Sequence, residues 1–253
     1  MKKMAKGASF MIVLCWDFDG TLTYSDPLWT NSVYHALKMT DPYTHVSFQD
    51  IRPFMASGFP WHSPDSDYRK TINDHWWHHM NHYFFQVYQS LGVSDSVAAL
   101  SCKKIRSIIR QAKNYRLYED ALSTLQQTSG KCQNIILSNN HPDLKEIIHA
   151  LGLSPFFQDY IISAEIGYDK PRPEIFQLAR SRYPHGTRFI MIGDSIHADI
   201  IGGKNARMET ILVHKGYCEQ ADYCCDQLEE IPKILSKKLR ILHEKSILPQ
   251  HWV

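Results

Sequence analysis

No apolar stretch in the 253 residues approaches the roughly 20 needed to cross a bilayer as a helix, so no membrane partner is expected. The nearest imitation is the start, where Met1-Lys2-Lys3-Met4-Ala5-Lys6 precedes Phe10-Met11-Ile12-Val13-Leu14 in the charge order of a secretory signal. That run reaches Asp17 with no small-residue cleavage site, so it reads as a first strand and the protein as cytoplasmic. Paired cysteine spacing is also lacking. The six cysteines, at 15, 102, 132, 218, 224 and 225, never form CxxC, which argues against a zinc site or a disulfide framework. Cys15 reads as a small buried hydrophobe, and the vicinal pair Cys224-Cys225 as a candidate for redox sensitivity. Charge of one sign is scarce as well. At a net +2 with signs interspersed there is no basic stripe to neutralise a phosphate backbone, so no nucleic-acid partner is expected. Lys237-Lys238-Leu239-Arg240 reads as a solvated helix face. Internal repeats and low-complexity segments are absent.

What is present is enough apolar sequence, 43% of the chain, for one large core and a small second domain. Apolar runs predict strands near 11–17, 133–138, 160–163, 188–193 and 210–213. Helical periodicity falls near 120–128, 142–151, 173–182 and 197–207. The alternation predicts an α/β fold, a Rossmann-like doubly wound and mostly parallel sheet with helices on both faces. It breaks between about 26 and 117, where helical patterns surround a loop rich in Pro, Gly and aromatics at 52–67.

One strand ends in an unusual way. Val13-Leu14-Cys15-Trp16-Asp17-Phe18-Asp19-Gly20-Thr21 runs from apolar residues straight into two carboxylates one residue apart. Strand alternation points both the same way, at the end where open α/β sheets place their sites. A buried, unpaired carboxylate costs several kcal/mol, and a divalent metal is the simplest compensation. A plain Asp-rich turn with Gly20 at the bend would also fit this segment alone. Three more segments end in polar residues or carry a cation: Ile135-Ile136-Leu137 into Ser138-Asn139-Asn140, Tyr168-Asp169-Lys170-Pro171, and Ile190-Met191-Ile192 into Gly193-Asp194-Ser195 with Asp199 following. Singly these are ordinary turn residues, caps and a charge.

In this order and spacing the four segments resemble the four motifs of the haloacid dehalogenase-like hydrolase superfamily, over about residues 12–235. The type they resemble is the Asp-x-Asp phosphatase of subfamily I, phosphoglycolate phosphatase-like, with a helical cap between the first two motifs. Dehalogenase members lack the second Asp, so Asp19 implies phosphoryl transfer. The resemblance implies Asp17 as nucleophile and Asp19 as proton donor and acceptor. It implies magnesium held by Asp17, Asp194 and the backbone carbonyl of Asp19, with Asp199 orienting that site or joining it. Ser138, Lys170 and backbone N–H groups near Asn139 and Phe18 would bind the phosphoryl oxygens. The core would comprise residues 1–25 and 117–253, and the α-helical cap 26–116.

The partner expected is a small phosphorylated molecule such as a sugar phosphate, phosphoglycolate or nucleoside monophosphate, the protein being a monomer or homodimer. A phosphomutase using the same aspartyl-phosphate is an alternative reading, as is a catalytically idle interaction protein. Two departures stand out: Leu117-Tyr118-Glu119-Asp120-Ala121 lacks the usual Pro-Gly, and Arg207 stands where Gly is common. Within the cap, His75, His79 and His82 have helical spacing that suits a metal. At about 100° per residue, however, Ile72, Trp76, Met80, Tyr83, Val87 and Leu91 form the apolar face, with Trp77, Phe84 and Tyr88 at its edge. His75, His78 and His82 fall opposite it and are expected in solvent. Leu239, Ile241, Leu242, Ile247, Leu248 and Trp252 would either join a partner or, the simpler expectation, dock the C-terminal segment on the core.

Overall fold

The computed structural model describes residues 11–24, 27–65 and 67–247, the last seven as backbone only. The lysine-rich start, Leu248, Trp252 and the side chains of Ile241, Leu242 and Ile247 lie outside what is described. Strands β1 (Ile12–Trp16), β2 (Gln133–Ser138), β3 (Asp159–Ile162), β4 (Arg188–Gly193), β5 (Glu209–Val213) and β6 (Tyr223–Cys225) form one parallel sheet ordered β3-β2-β1-β4-β5-β6. Every residue of β1 is buried, as a strand covered on both faces requires. Alternation divides its side chains: Leu14 and Trp16 join one apolar layer, Val13 and Cys15 the other.

This order reverses direction at β1, so the loops leaving β1 and β4 part and open a crevice at their C-terminal ends. Register aligns the crevice. Trp16 lies beside Ile136 on one side and Ile192 on the other, so Asp17, Leu137-Ser138 and Gly193-Asp194 emerge at one edge.

Between β1 and β2 lie α1 (Leu28–Thr40), α2 (Phe48–Ile51), α3 (Asp74–Ser90) and α4 (Asp95–Ile109). Helix α5 (Ala121–Thr128) precedes β2, α6 (Leu144–Ala150) follows it, and α7 (Ser163–Ile166) follows β3. Then α8 (Pro173–Ser181) leads to β4, and a π-helical turn, Ile196–Ile201, runs into α9 (Gly202–Asn205). The single helix expected at 197–207 is therefore two short pieces, ending at Arg207 in the left-handed region with φ 57°. Helix α10 (Ile231–Ile247) closes the described chain, with Ile231 and Leu235 buried and Leu239 packed on the same layer.

The inserted helices join the sheet through two antiparallel connectors. Tyr24 N–H donates to the Arg116 carbonyl at 2.9 Å, and Tyr118 N–H to that of Leu22 at 3.0 Å. The face of α3 is rotated from the expected one: Trp77, Phe84 and Tyr88 are buried with Trp76, Met80 and Val87, whereas Tyr83 is half-buried. The cause is burial on two sides. Tyr88 Oη donates to the Val33 carbonyl on α1 at 2.6 Å, and Trp77 Nε1 to Asp143 beside α6 at 2.8 Å. His75, His78 and His82 are exposed, as expected, and so is His79.

Two surface expectations are corrected. Lys238 is not a solvated charge: it pairs with Glu209 and lies over the Tyr223 ring. Cys225 is buried, and burial pushes its thiol up to about 12, the reverse of an activated thiol. No helix among the described residues is long and apolar enough to cross a membrane.

Candidate active site

The apolar run of β1 stops at Trp16, and Asp17 N–H still donates to the Ile192 carbonyl at 2.9 Å, so Asp17 leaves the sheet in strand direction. A turn follows in which the N–H groups of Leu22 and Thr23 both reach the Phe18 carbonyl. Gly20 takes φ 81° there, and a Cβ on it would lie 2.5 Å from an Asp194 carboxylate oxygen. Gly193 has the same duty on the other strand, since a Cβ would come 2.1 Å from Asp199 Oδ2. Both glycines let carboxylates and backbone approach where any side chain would intrude.

Asp17, Asp194 and Asp199 offer carboxylate oxygens all within 4.8 Å of one another. Lys170, 1% exposed, reaches in among them: its Nζ lies 3.0 Å from Asp17 Oδ1 and 2.6 Å from Asp199 Oδ1. Burial alone would lower the Lys170 pKa, but Asp17 and Asp199 together outweigh it and raise it, so the group is an ammonium. Asp199 is fully buried; burial pushes its carboxyl up and Lys170 opposes that, while Oδ2 accepts from Ser195 N–H at 3.0 Å. Burial, then Asp17, raises Asp194, against Lys215 at 3.3 Å.

Asp19 is held apart from this cluster by neutral donors. Asn140 Nδ2 donates to its Oδ2 at 2.8 Å and Thr23 Oγ1 to its Oδ1 at 3.1 Å. Burial pushes the Asp19 carboxyl up to about 6, and the Asn140 bond only partly counters it. An acid of that strength near neutrality can both give and take a proton.

Ser138 is buried at the end of β2, with Asn140 Nδ2 3.5 Å from its Oγ. Asn139 lies beside the site in another capacity than a backbone donor alone. Its side chain clasps the Lys170 backbone, donating to the carbonyl at 2.9 Å and accepting from the N–H at 2.7 Å. Asp17, Asp19, Ser138, Asn139, Lys170, Asp194 and Asp199 thus meet at one edge of the sheet. Asn140 was missed, because an Asn after a strand reads as a turn residue; its repetition after Asn139 was the sole signal. Above them is a cavity of about 680 Å³ with Asp19, Asn139 and Asp194 on its floor and Trp29, Met55 and Trp61 among its walls. The cluster's donors are all hard oxygens, with no sulfur or imidazole, which fits magnesium.

Comparison with known proteins agrees with this geometry. The family model of haloacid dehalogenase-like hydrolases matches residues 12–207. The pyrimidine 5'-nucleotidase YjjG of Escherichia coli is 30% identical over 125 residues, 46% of this chain and 56% of that protein. A glyceraldehyde 3-phosphate phosphatase of Pyrococcus furiosus is 32% identical over 118 residues, 43% of this chain and 49% of that one. The chain thus spans about half the length of the curated relatives it matches. Among solved structures, the magnesium-bound HAD-hydrolase YfnB of Bacillus subtilis covers 90% of this chain and 99% of its own, with TM-score 0.69 and 21% identity, a likeness of fold.

Proposed function

The chain belongs to the haloacid dehalogenase-like hydrolases, and from that premise we propose a magnesium-dependent phosphatase that hydrolyses a small phosphomonoester through an aspartyl-phosphate. A sugar phosphate, phosphoglycolate or nucleoside monophosphate is the class of substrate, taken up in the cytoplasm by a monomer or homodimer. The observation that carries this reading is Asp19, a buried acid raised to about 6 and oriented by Asn140 and Thr23. An acid so placed, beside Asp17 and in the lining of the cavity, can protonate a leaving alkoxide and then take a proton from water. The names of relatives, a nucleotidase and phosphatases of glyceraldehyde 3-phosphate and phosphoserine, support the class and not the individual substrate.

Asp17 is the nucleophile. Lys170 occupies its Oδ1, so Oδ2 attacks phosphorus; the phosphorus–oxygen bond to the leaving group breaks and Asp19 supplies the alkoxide with a proton. In the second half Asp19 takes a proton from water, the water oxygen attacks phosphorus, and Asp17 is released. Lys170 and Ser138, with N–H groups near Asn139 and Phe18, bind the phosphoryl oxygens. Asp17, Asp194 and the Asp19 carbonyl would hold magnesium, with Asp199 orienting Lys170 beside it. The ion, when bound, supplies positive charge against the phosphoryl oxygens. The helices at 28–109 are the cap over a core of 1–25 and 117–253, hinged at the paired connectors, and they exclude water during the transfer.

Phosphate release from an aryl phosphate tests this, with and without magnesium, in the wild type and in Asp17→Asn. Magnesium-dependent release that the substitution abolishes is expected. Equal release from both proteins would overturn the nucleophile assignment.

A further inference from the structure

The cavity above the floor is far larger than a phosphoryl group needs, and its walls differ in chemistry from its floor. At about 680 Å³ it lies in the range of pockets that enclose drug-sized ligands. A three-carbon leaving group would leave most of it to water. Asp19, Asn139 and Asp194 mark the end where the phosphate would lie, with Lys215 paired to Asp194 there, while Arg52 and Thr30 add polar groups to the rest of the lining. One wall is aromatic. Trp61 stacks on Phe59 at 4.7 Å and 11°, and stands 6.2 Å from Trp29, with Met55 and Leu28 beside them. Tyr24 and Tyr118, also in the lining, form a second ring pair at 5.2 Å.

Trp29 and Trp61 are only half-buried although both pack among other rings, so part of each ring faces the cavity. Stacked rings have few rotors and need no rearrangement to receive another flat group, which makes the wall a preformed platform. We propose that the substrate's leaving group bears a flat aromatic or heteroaromatic ring, held against Trp61, Trp29 and Met55 while its phosphate rests on the floor. This rests on the phosphatase reading for its chemistry, while the ring contact stands on the cavity itself. The ring is that of a nucleobase or of an aryl alcohol.

Binding and turnover are read separately. In Asp17→Asn, loaded with magnesium, calorimetric titration compares uridine 5'-monophosphate, phenethyl phosphate and ribose 5-phosphate. At least one ring-bearing ligand is expected to bind about tenfold or more tightly than ribose 5-phosphate, the size of one base–aromatic stack. The tighter of the two identifies a nucleobase or an aryl ring. Adding Trp61→Ala should erase most of that advantage and Trp61→Phe restore it; where Trp61→Ala unfolds by circular dichroism, Met55→Gln provides the same reading. Affinity for ribose 5-phosphate equal to or above that for both ring ligands overturns the proposal. Phosphate release by the wild type tells the two readings apart. Ring-selective binding with no release from any of the three refutes the phosphatase and leaves the ring platform, whereas release with no ring preference in binding does the opposite.

Discussion

Asn140 is a neutral residue on which a titrating one depends. It bonds Asp19 at 2.8 Å and is itself fixed by accepting the His141 N–H at 3.0 Å, so the Asp19 carboxyl has one orientation. Asn140→Ala is expected to lower kcat by about tenfold to a hundredfold, the worth of a hydrogen bond to a charged group, and to leave KM nearly unchanged. Steady-state kinetics on an aryl phosphate would check this, and an unchanged kcat would refute it. Neighbouring His141 predicts a pH effect on stability. It is buried among Trp29, Trp76 and Trp77, with Tyr115 Oη 3.1 Å from its Nε2 and Asp143, Arg106 and Arg110 as nearby charges. Burial lowers its pKa from 6.5 to about 4. Above 6.5 both folded and unfolded chains hold it neutral, and its full contribution is present. As pH falls from 6.5 toward 4 the unfolded chain takes up a proton that the folded one refuses, and stability is lost. By pH 4.5 the loss is about 2.5 kcal/mol. Asp19 and Asp169, raised to about 6, act in the opposite direction over much of the same window, so only a difference isolates the histidine. Urea midpoints at neutral and acid pH should diverge more for the wild type than for His141→Gln; the same gap in both would rule the histidine out.

Among the elements, the strands were legible and the face of α3 was not. Strands β1 to β5 are apolar runs too short for a helix and bounded by turn residues, so their positions needed no tertiary information, whereas the three residues of β6 make no such run. The pairing of Asp17 with Asp19 was visible for the same reason, since alternation is a local property. A helical wheel assumes one packing partner, however, and α3 has two, which brought Trp77 and Phe84 from the edge to the centre. Lys238 and Asn140 escaped because their partners, Glu209 and Asp19, are distant in sequence. Arg207 is a departure from the family pattern that the backbone explains. Its φ of 57° suits Gly, and the exposed arginine side chain has a Cβ that this conformation crowds. Arg207→Gly relieves that strain but loosens the unfolded chain, and the balance is a gain of about 0.5–1 kcal/mol. Thermal unfolding should rise by about 1–4 °C, and a fall would mean that the turn tolerates arginine without strain.

At the scale of the molecule, a charged knot beside the site joins the inserted helices to the sheet, with Arg110 and Glu146 as a second, more exposed pair. Asp143, on the sheet side, accepts from Arg106 Nε at 2.9 Å and Nη2 at 2.7 Å, and from Trp77 Nε1 at 2.8 Å. Arg106 also pairs with Asp74 at 2.8 Å and lies over the Trp77 ring. Burial would raise the Asp143 pKa, but Arg106, with His141 and Arg110 behind it, outweighs that and the carboxyl is held below its ordinary value. Removing the guanidinium alone leaves a buried carboxylate unpaired, which in a fully enclosed site costs about 3–5 kcal/mol. Because the Arg106 side chain is 37% exposed, solvent screens part of this and about 2 kcal/mol is the expected loss for Arg106→Leu. Asp143→Leu in the same chain removes the stranded charge and should recover most of it. A double-mutant cycle in urea measures the coupling directly. The knot joins the two sides only while the helices are seated, so loosening it should also raise KM for the phosphate ester as seating weakens. A stable Arg106→Leu protein with unaltered KM would mean that this charged knot plays no part in closing the site.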